Sequence, residues 1–133
     1  MTMRPDPELQ LLGLAVVIGL VQLLWATLAA RRQQGLAYGR GPQDEPSPIS
    51  GGAGRLSRSF RNFMETFPLH ATAVILAYLL GKIGDLTFWG SVLYVVGRAL
   101  HPIMYLLAIP MTRTLVWFVA FVGTLMVLTA MVL

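Results

Sequence analysis

The sequence contains no cysteine and few charged residues, and each shortage excludes a class of protein. The lack of cysteine excludes disulfide frameworks, thiolate metal sites and a cysteine nucleophile. Charged residues make up 12% of the 133 residues, about half of the roughly 25% that soluble domains carry. Hydrophobic residues make up 56%, and the mean hydropathy is +0.67. This balance predicts a single-domain integral membrane protein in a lipid bilayer.

Four stretches are long and apolar enough to cross a bilayer, which takes roughly 20 mostly apolar residues. They cover residues 9–30, 57–80, 86–109 and 114–133. Soluble helices carry a polar face, and the first and last stretches have none. The first stretch is also longer than the apolar core of a signal peptide, so we interpret it as a retained helix. The sequence therefore predicts an all-α membrane protein, a four-transmembrane-helix bundle formed by residues 1–133.

The first connection, residues 31–56, differs from the two short ones in composition and charge. It includes GRGPQDEPSPISGGAGR and is predicted to be an irregular, flexible loop, or alternatively a loop that partly covers a site. Six of the ten Lys and Arg residues lie between Arg31 and Arg61. Because Lys and Arg mark cytoplasmic loops, we expect this loop in the cytoplasm and both termini on the other side. The basic excess is thus an orientation signal, and no nucleic-acid partner is expected.

Polar residues inside the spans are expected to meet in one layer near the cytoplasmic side. The second and fourth spans begin there and the third ends there, and the polar positions of each span share one face by helical spacing. The set comprises Arg61, Asn62, Glu65, Arg98, His101, Tyr105 and Arg113. A charge at the bilayer centre costs at least ~2.5–3.5 kcal/mol, so ionisable residues in a span usually face the bundle interior or a wet cavity.

Two interpretations of this layer stay open. In the first, Glu65 pairs with Arg98 and only holds the helices together, while Arg61 and Arg113 reach lipid phosphates. In the second, the layer binds an anionic ligand, since one carboxylate cannot neutralise three arginines. We favour the second for the whole set. His70, deeper in the second span, is interpreted as a hydrogen-bonded packing residue.

The order of these residues resembles the MAPEG family, the membrane-associated proteins in eicosanoid and glutathione metabolism. The second span reads RNFMETFP, with Arg61-Asn62 followed by Glu65 and Pro68. The third span reads GRALHPIMY, which supplies Arg98, His101 and Tyr105, and the fourth opens beside Arg113. The resemblance covers nearly the whole chain in length, number of spans and position of the polar residues.

The resemblance implies a homotrimer with active sites between subunits that open to the cytoplasm. It implies glutathione as co-substrate, without a metal, bound by Arg61, Asn62, Glu65, Arg98, His101 and Tyr105. Arg113 is the candidate catalytic residue, because a cation near the glutathione sulfur favours the nucleophilic thiolate, and Thr114 is a weaker helper. The implied activity is that of a glutathione transferase or peroxidase acting on a lipophilic small molecule, as in detoxification.

Two departures from the family pattern keep other functions open. Trp117 stands one turn after Arg113, where several members carry an aromatic hydroxyl, and we interpret it as an interfacial or packing residue. Pro68 follows Glu65 one residue earlier than in mammalian enzymes, which favours a bacterial inner-membrane protein. A non-catalytic binding or scaffold protein of the same fold is the alternative. A small multidrug transporter is a remote one, because its first helix needs an acidic residue and residues 9–30 have none.

Overall fold

The computed structural model describes residues 6–133, and the regular secondary structure of this part is helical. The helices are α1 (Pro7–Gln34), α2 (Leu36–Arg40), α3 (Gly51–Leu79), α4 (Asp85–Leu107) and α5 (Thr112–Val132). Among residues 6–133, three helices are long and apolar enough to cross a membrane, namely α1, α4 and α5. With 29 residues, α3 has the length of a span, but its polar side chains leave it outside that set. The predicted all-helical class is confirmed.

Much of residues 31–56, which the composition predicts to be irregular, is helical. α1 continues to Gln34, α2 follows after Gly35, and α3 begins at Gly51, so the longer segment without helix shrinks to residues 41–50. α3 starts among glycines because Ala53, Leu56 and Phe63 fall on one buried face, and packing of such a face outweighs poor helix propensity. Residues 41–50 are bonded to α1, where Gln33 Nε2 donates to the Ser50 carbonyl at 2.8 Å.

The first helix begins earlier than predicted and includes a carboxylate. Proline is favoured at the first helical position because its φ is already helical and its missing N–H would be unpaired there. Pro7 occupies that position, and Glu8 follows with 2% of its surface exposed. Thr87 Oγ1 of α4 donates to Glu8 Oε1 at 2.8 Å. The first helix therefore includes one acidic residue, Glu8 in its first turn, although residues 9–30 have none.

Small residues let α4 and α5 pack closely as antiparallel neighbours. A Cβ atom on Gly90 would lie 2.6 Å from the Gly123 carbonyl oxygen, and one on Gly97 would lie 2.7 Å from the Val116 carbonyl oxygen. Only glycine permits such backbone contact, a known feature of helix packing in membranes. The short link at residues 108–111 then sets the last turns of α4 beside the first turn of α5. We call the end of the bundle where α4 ends and α3 and α5 begin the arginine-rich end.

The outer surfaces of α1 and α5 remain apolar. Leu24 of α1 is 62% exposed and Leu115 of α5 is 61% exposed, and many other large apolar side chains on both helices are exposed as well. Contiguous apolar surface of this kind is unfavourable in water, whereas the hydrocarbon of a bilayer matches it. The helices therefore fit a lipid environment.

Candidate functional site

A cavity of about 380 Å³ opens at the arginine-rich end. Its lining comes from one face of α3, the last turns of α4 and the first turns of α5. The lining residues are Arg58, Arg61, Asn62, Glu65, Tyr105, Arg113, Thr114 and Trp117. The structure thus brings six predicted site residues together and adds Arg58 and Trp117. Three arginines and one carboxylate around a cavity suit a ligand with several anionic groups and one cationic group.

Tyr105 contacts two of these arginines at the cavity wall. Arg58 Nε donates to the Tyr105 hydroxyl at 3.2 Å. The Arg113 guanidinium carbon lies 4.7 Å from the centroid of the Tyr105 ring, a cation–π distance. A contact through the ring face leaves the in-plane N–H donors of Arg113 for an anion. Tyr105 therefore positions Arg113 without consuming its hydrogen-bonding capacity.

Two of the predicted ligand-binding residues, Arg98 and His101, lie behind the cavity wall. Arg98 is fully buried, and its Nη1 donates to Asn62 Oδ1 at 2.8 Å. His101 is 3% exposed, and its Nδ1 lies 2.8 Å from Ser59 Oγ. Both residues of α4 therefore contact α3 rather than the cavity. Ser59 was not singled out from the sequence, although it lies three residues before Asn62 at helical spacing.

Glu65 and Arg98 do not form the ion pair that the first interpretation of the polar layer expects. Arg98 uses Nη1 for Asn62, and its Nε and Nη2 have no hydrogen-bond partner among residues 6–133. Glu65 is exposed and lines the cavity instead. The purely structural interpretation of the polar layer thus loses its ion pair, although Arg98 and Asn62 make a polar contact between α4 and α3 in its place.

Gln22 of α1 lies with Arg98 and His101 in a buried layer behind the cavity wall. The sequence analysis did not single it out. Residue 102 is a proline without an N–H, so the carbonyl of Arg98, four residues earlier, loses its usual helical donor. Gln22 Nε2 donates to this carbonyl at 3.2 Å. The available signal was a glutamine in the middle of an apolar span, together with a proline four residues after Arg98.

An apolar groove of about 430 Å³ adjoins the cavity between α3 and α5. Its wall includes Leu69 and Leu76 of α3 and Phe121 of α5. Trp117 lines both the groove and the cavity, and its ring also stacks on Phe121, as expected of a packing residue. From sequence alone, an aromatic residue near the start of a helix fits either a packing role or a role in lining a site. The groove and the polar cavity meet at Trp117.

Comparisons with known proteins bear on almost the whole chain. Searches of curated proteins and of solved structures gave no match. The sequence model of the MAPEG family matches residues 9–133. This range contains every residue that lines the cavity and the groove. The chain belongs to the MAPEG family.

Proposed function

We propose that the protein is a membrane glutathione transferase or peroxidase, which activates the glutathione thiol for attack on a lipophilic electrophile or hydroperoxide. Membership of the MAPEG family supports a membrane protein of glutathione or eicosanoid metabolism. The observation that carries the proposal is the junction of an arginine-lined cavity with an apolar groove at Trp117. A polar co-substrate and an apolar substrate would meet at this junction, and such proximity is itself a source of rate enhancement.

The charges of glutathione complement the cavity. Glutathione has two carboxylates, one ammonium group and one thiol. The guanidinium groups of Arg58 and Arg61 are donors for carboxylates, and Glu65 is an acceptor for the ammonium group. Asn62 turns its Oδ1 to Arg98 at 2.8 Å, which leaves its amide hydrogens for the ligand.

Arg113 is the proposed catalytic residue. A free thiol has a pKa of about 8.5 and is only weakly ionised at neutral pH. A guanidinium group next to the sulfur stabilises the thiolate, and the effect is strong where water is partly excluded. Thr114 also lines the cavity, and its hydroxyl is the proposed weaker helper.

We further propose that α3 is a fourth membrane span and that the protein forms a homotrimer in a bacterial inner membrane. α3 packs against α1, α4 and α5, so it shares the environment of the three apolar helices. The arginines of α3 and the link to α5 favour the cytoplasm at the arginine-rich end, with both termini on the other side. The trimer rests on family membership.

The first test is glutathione binding to the purified protein in detergent, followed by ultraviolet absorbance of the thiolate. We expect the wild-type protein to give a thiolate band when glutathione is added. Arg113→Ala should lose the band, because no other cation is proposed to face the sulfur. Glu65→Gln should weaken glutathione binding, because the ammonium group loses its charged acceptor.

A matched control is Arg40→Ala, which removes an exposed arginine of α2 that does not line the cavity. This variant should behave like the wild-type protein. Absence of binding at millimolar glutathione would contradict the proposal. Binding without a thiolate band would indicate the alternative, a non-catalytic binding protein of the same fold.

A further inference from the structure

The wall of the apolar groove contains a hydrogen-bonded pair of hydroxyl groups. Thr66 of α3 and Tyr94 of α4 both line the groove, and Thr66 Oγ1 lies 3.2 Å from the Tyr94 hydroxyl oxygen. Leu69, Ala73 and Phe121 contribute apolar side chains to the same wall. One fixed polar group in an apolar site selects ligands with a matching polar atom.

Packing from neighbouring helices holds the Tyr94 ring in place. Tyr94 is 1% exposed, and its ring stacks on His70 of α3 with centroids 3.7 Å apart and planes 7° from parallel. His70 Nδ1 lies 3.0 Å from Thr124 Oγ1 of α5. Three helices therefore fix the position of the Tyr94 hydroxyl, and a group fixed in this way binds with little loss of entropy.

The available hydrogens make Tyr94 the donor of the pair. Thr66 Oγ1 also lies 3.2 Å from the Phe63 carbonyl oxygen, which can only accept. The single hydroxyl hydrogen of Thr66 satisfies that carbonyl, so the Tyr94 hydroxyl donates to Thr66 Oγ1. A ligand oxygen can replace Thr66 as the acceptor, because the hydroxyl hydrogen rotates while the ring stays fixed. Tyr94 does not line the arginine-lined cavity, so this donor is separate from the glutathione contacts proposed above.

We propose that Tyr94 is a specificity-determining residue that donates a hydrogen bond to an oxygen atom of an otherwise apolar substrate. The substrate class is then a lipophilic carbonyl compound or hydroperoxide rather than a halogenated hydrocarbon. This inference rests on the proposed function, since the groove meets the cavity at Trp117. The hydrogen bond itself forms without glutathione and can be measured alone.

The test uses Trp117 as a fluorescent reporter in the groove. Trp25 and Trp89, the other two tryptophans, are replaced by phenylalanine in every protein. The probes are a long-chain methyl ketone with a terminal bromine, which quenches indole fluorescence on contact, and a bromoalkane of equal length. Because the partitioning of a given probe into detergent is the same for every variant, a difference between variants reports binding to the groove. We expect the ketone to bind more tightly than the alkane, but by less than the about tenfold that one added hydrogen bond predicts, because the bond to the ketone replaces the bond to Thr66.

Two variants separate a donor from a structural residue. Tyr94→Phe should abolish the preference for the ketone and leave alkane binding unchanged. Thr66→Val removes the internal acceptor and leaves Tyr94 free to donate, so the preference should stay or increase. A merely structural role predicts the same loss in both variants. Tyr78→Phe, at an exposed tyrosine of α3 that does not line the groove, is the control.

Other outcomes would overturn the inference. Equal affinity for ketone and alkane in both the wild-type protein and Thr66→Val would show that Tyr94 does not donate to ligands. Absence of quenching by both probes would show that neither probe binds in the groove, which would overturn the inference. Glutathione is absent from this assay, so its failure leaves the thiolate experiment unaffected, and failure of that experiment leaves this one interpretable.

Discussion

Arg113 and Arg98 lie on neighbouring helices at the arginine-rich end, yet their surroundings differ. Arg113 is exposed at the cavity and contacts the face of Tyr105 at 4.7 Å. Arg98 is fully buried and donates to Asn62 at 2.8 Å. An exposed guanidinium group exchanges water for a ligand at little cost, whereas a buried one is costly to deprive of a partner. The cavity lining is thus suited to binding a ligand, and the buried layer behind it is suited to stabilising the fold.

Asn62 belongs to both regions. Its side chain lines the cavity, while its Oδ1 accepts from the buried Arg98. The two regions are therefore separate in exposure but joined by one amide group. A variant in the cavity lining should therefore change ligand binding, and a variant that breaks the contact with Arg98 should change stability.

The largest expected effect is on ligand binding, in Arg61→Ala. A hydrogen bond to a charged group contributes about 1.5–3 kcal/mol, so the Kd for glutathione should rise roughly 10- to 150-fold. Arg61 is exposed, so the free energy of unfolding should change little. Calorimetric titration and unfolding in detergent give the two quantities. Arg40→Ala makes the same charge change outside the cavity and should alter neither. If Arg61→Ala lowered the free energy of unfolding as well as the affinity for glutathione, the separation of the two regions would be contradicted.

The next effect is on stability, in Asn62→Leu. Arg98 would lose the acceptor of its Nη1 while remaining buried, so the free energy of unfolding should fall by about 2 kcal/mol. Asn62→Asp keeps an acceptor of the same shape and adds a negative charge, so it should retain most of the stability. Unfolding by sodium dodecyl sulfate in mixed micelles measures both variants. Equal losses in the two variants would show that the contact with Arg98 does not stabilise the fold.

Helical spacing explains how much of the cavity could be predicted. Arg61, Asn62 and Glu65 occur at intervals that share one face of a helix, and the short link at residues 108–111 places Tyr105 beside Arg113. Which polar residue faces the cavity and which faces another helix depends on how α3 and α4 cross. That geometry is set by packing and is not encoded in spacing, so the burial of Arg98 and His101 could not be predicted.

Composition was a poorer guide to the ends of the helices. Glycines and prolines dominate residues 41–54, and they conceal the buried face formed by Ala53 and Leu56. Hydropathy likewise set the start of the first helix at residue 9, although Pro7 begins it. Local propensity is weak against tertiary packing, and a glutamine bonded to a residue 76 positions later cannot be found from local signals.

The smallest expected effect tests that glutamine. Gln22→Leu removes the donor to the Arg98 carbonyl and should lower the free energy of unfolding by about 1 kcal/mol. Pro102→Ala supplies a backbone N–H four residues after Arg98, so the carbonyl regains a helical donor. In that background Gln22→Leu should cost close to nothing, and a double-mutant cycle should give a coupling of about 1 kcal/mol. Gln10→Leu, at an exposed glutamine of the same helix, should show no coupling with Pro102→Ala. An equal cost of Gln22→Leu in both backgrounds would mean that Gln22 stabilises α1 by packing alone, and that the buried layer does not depend on the proline of α4.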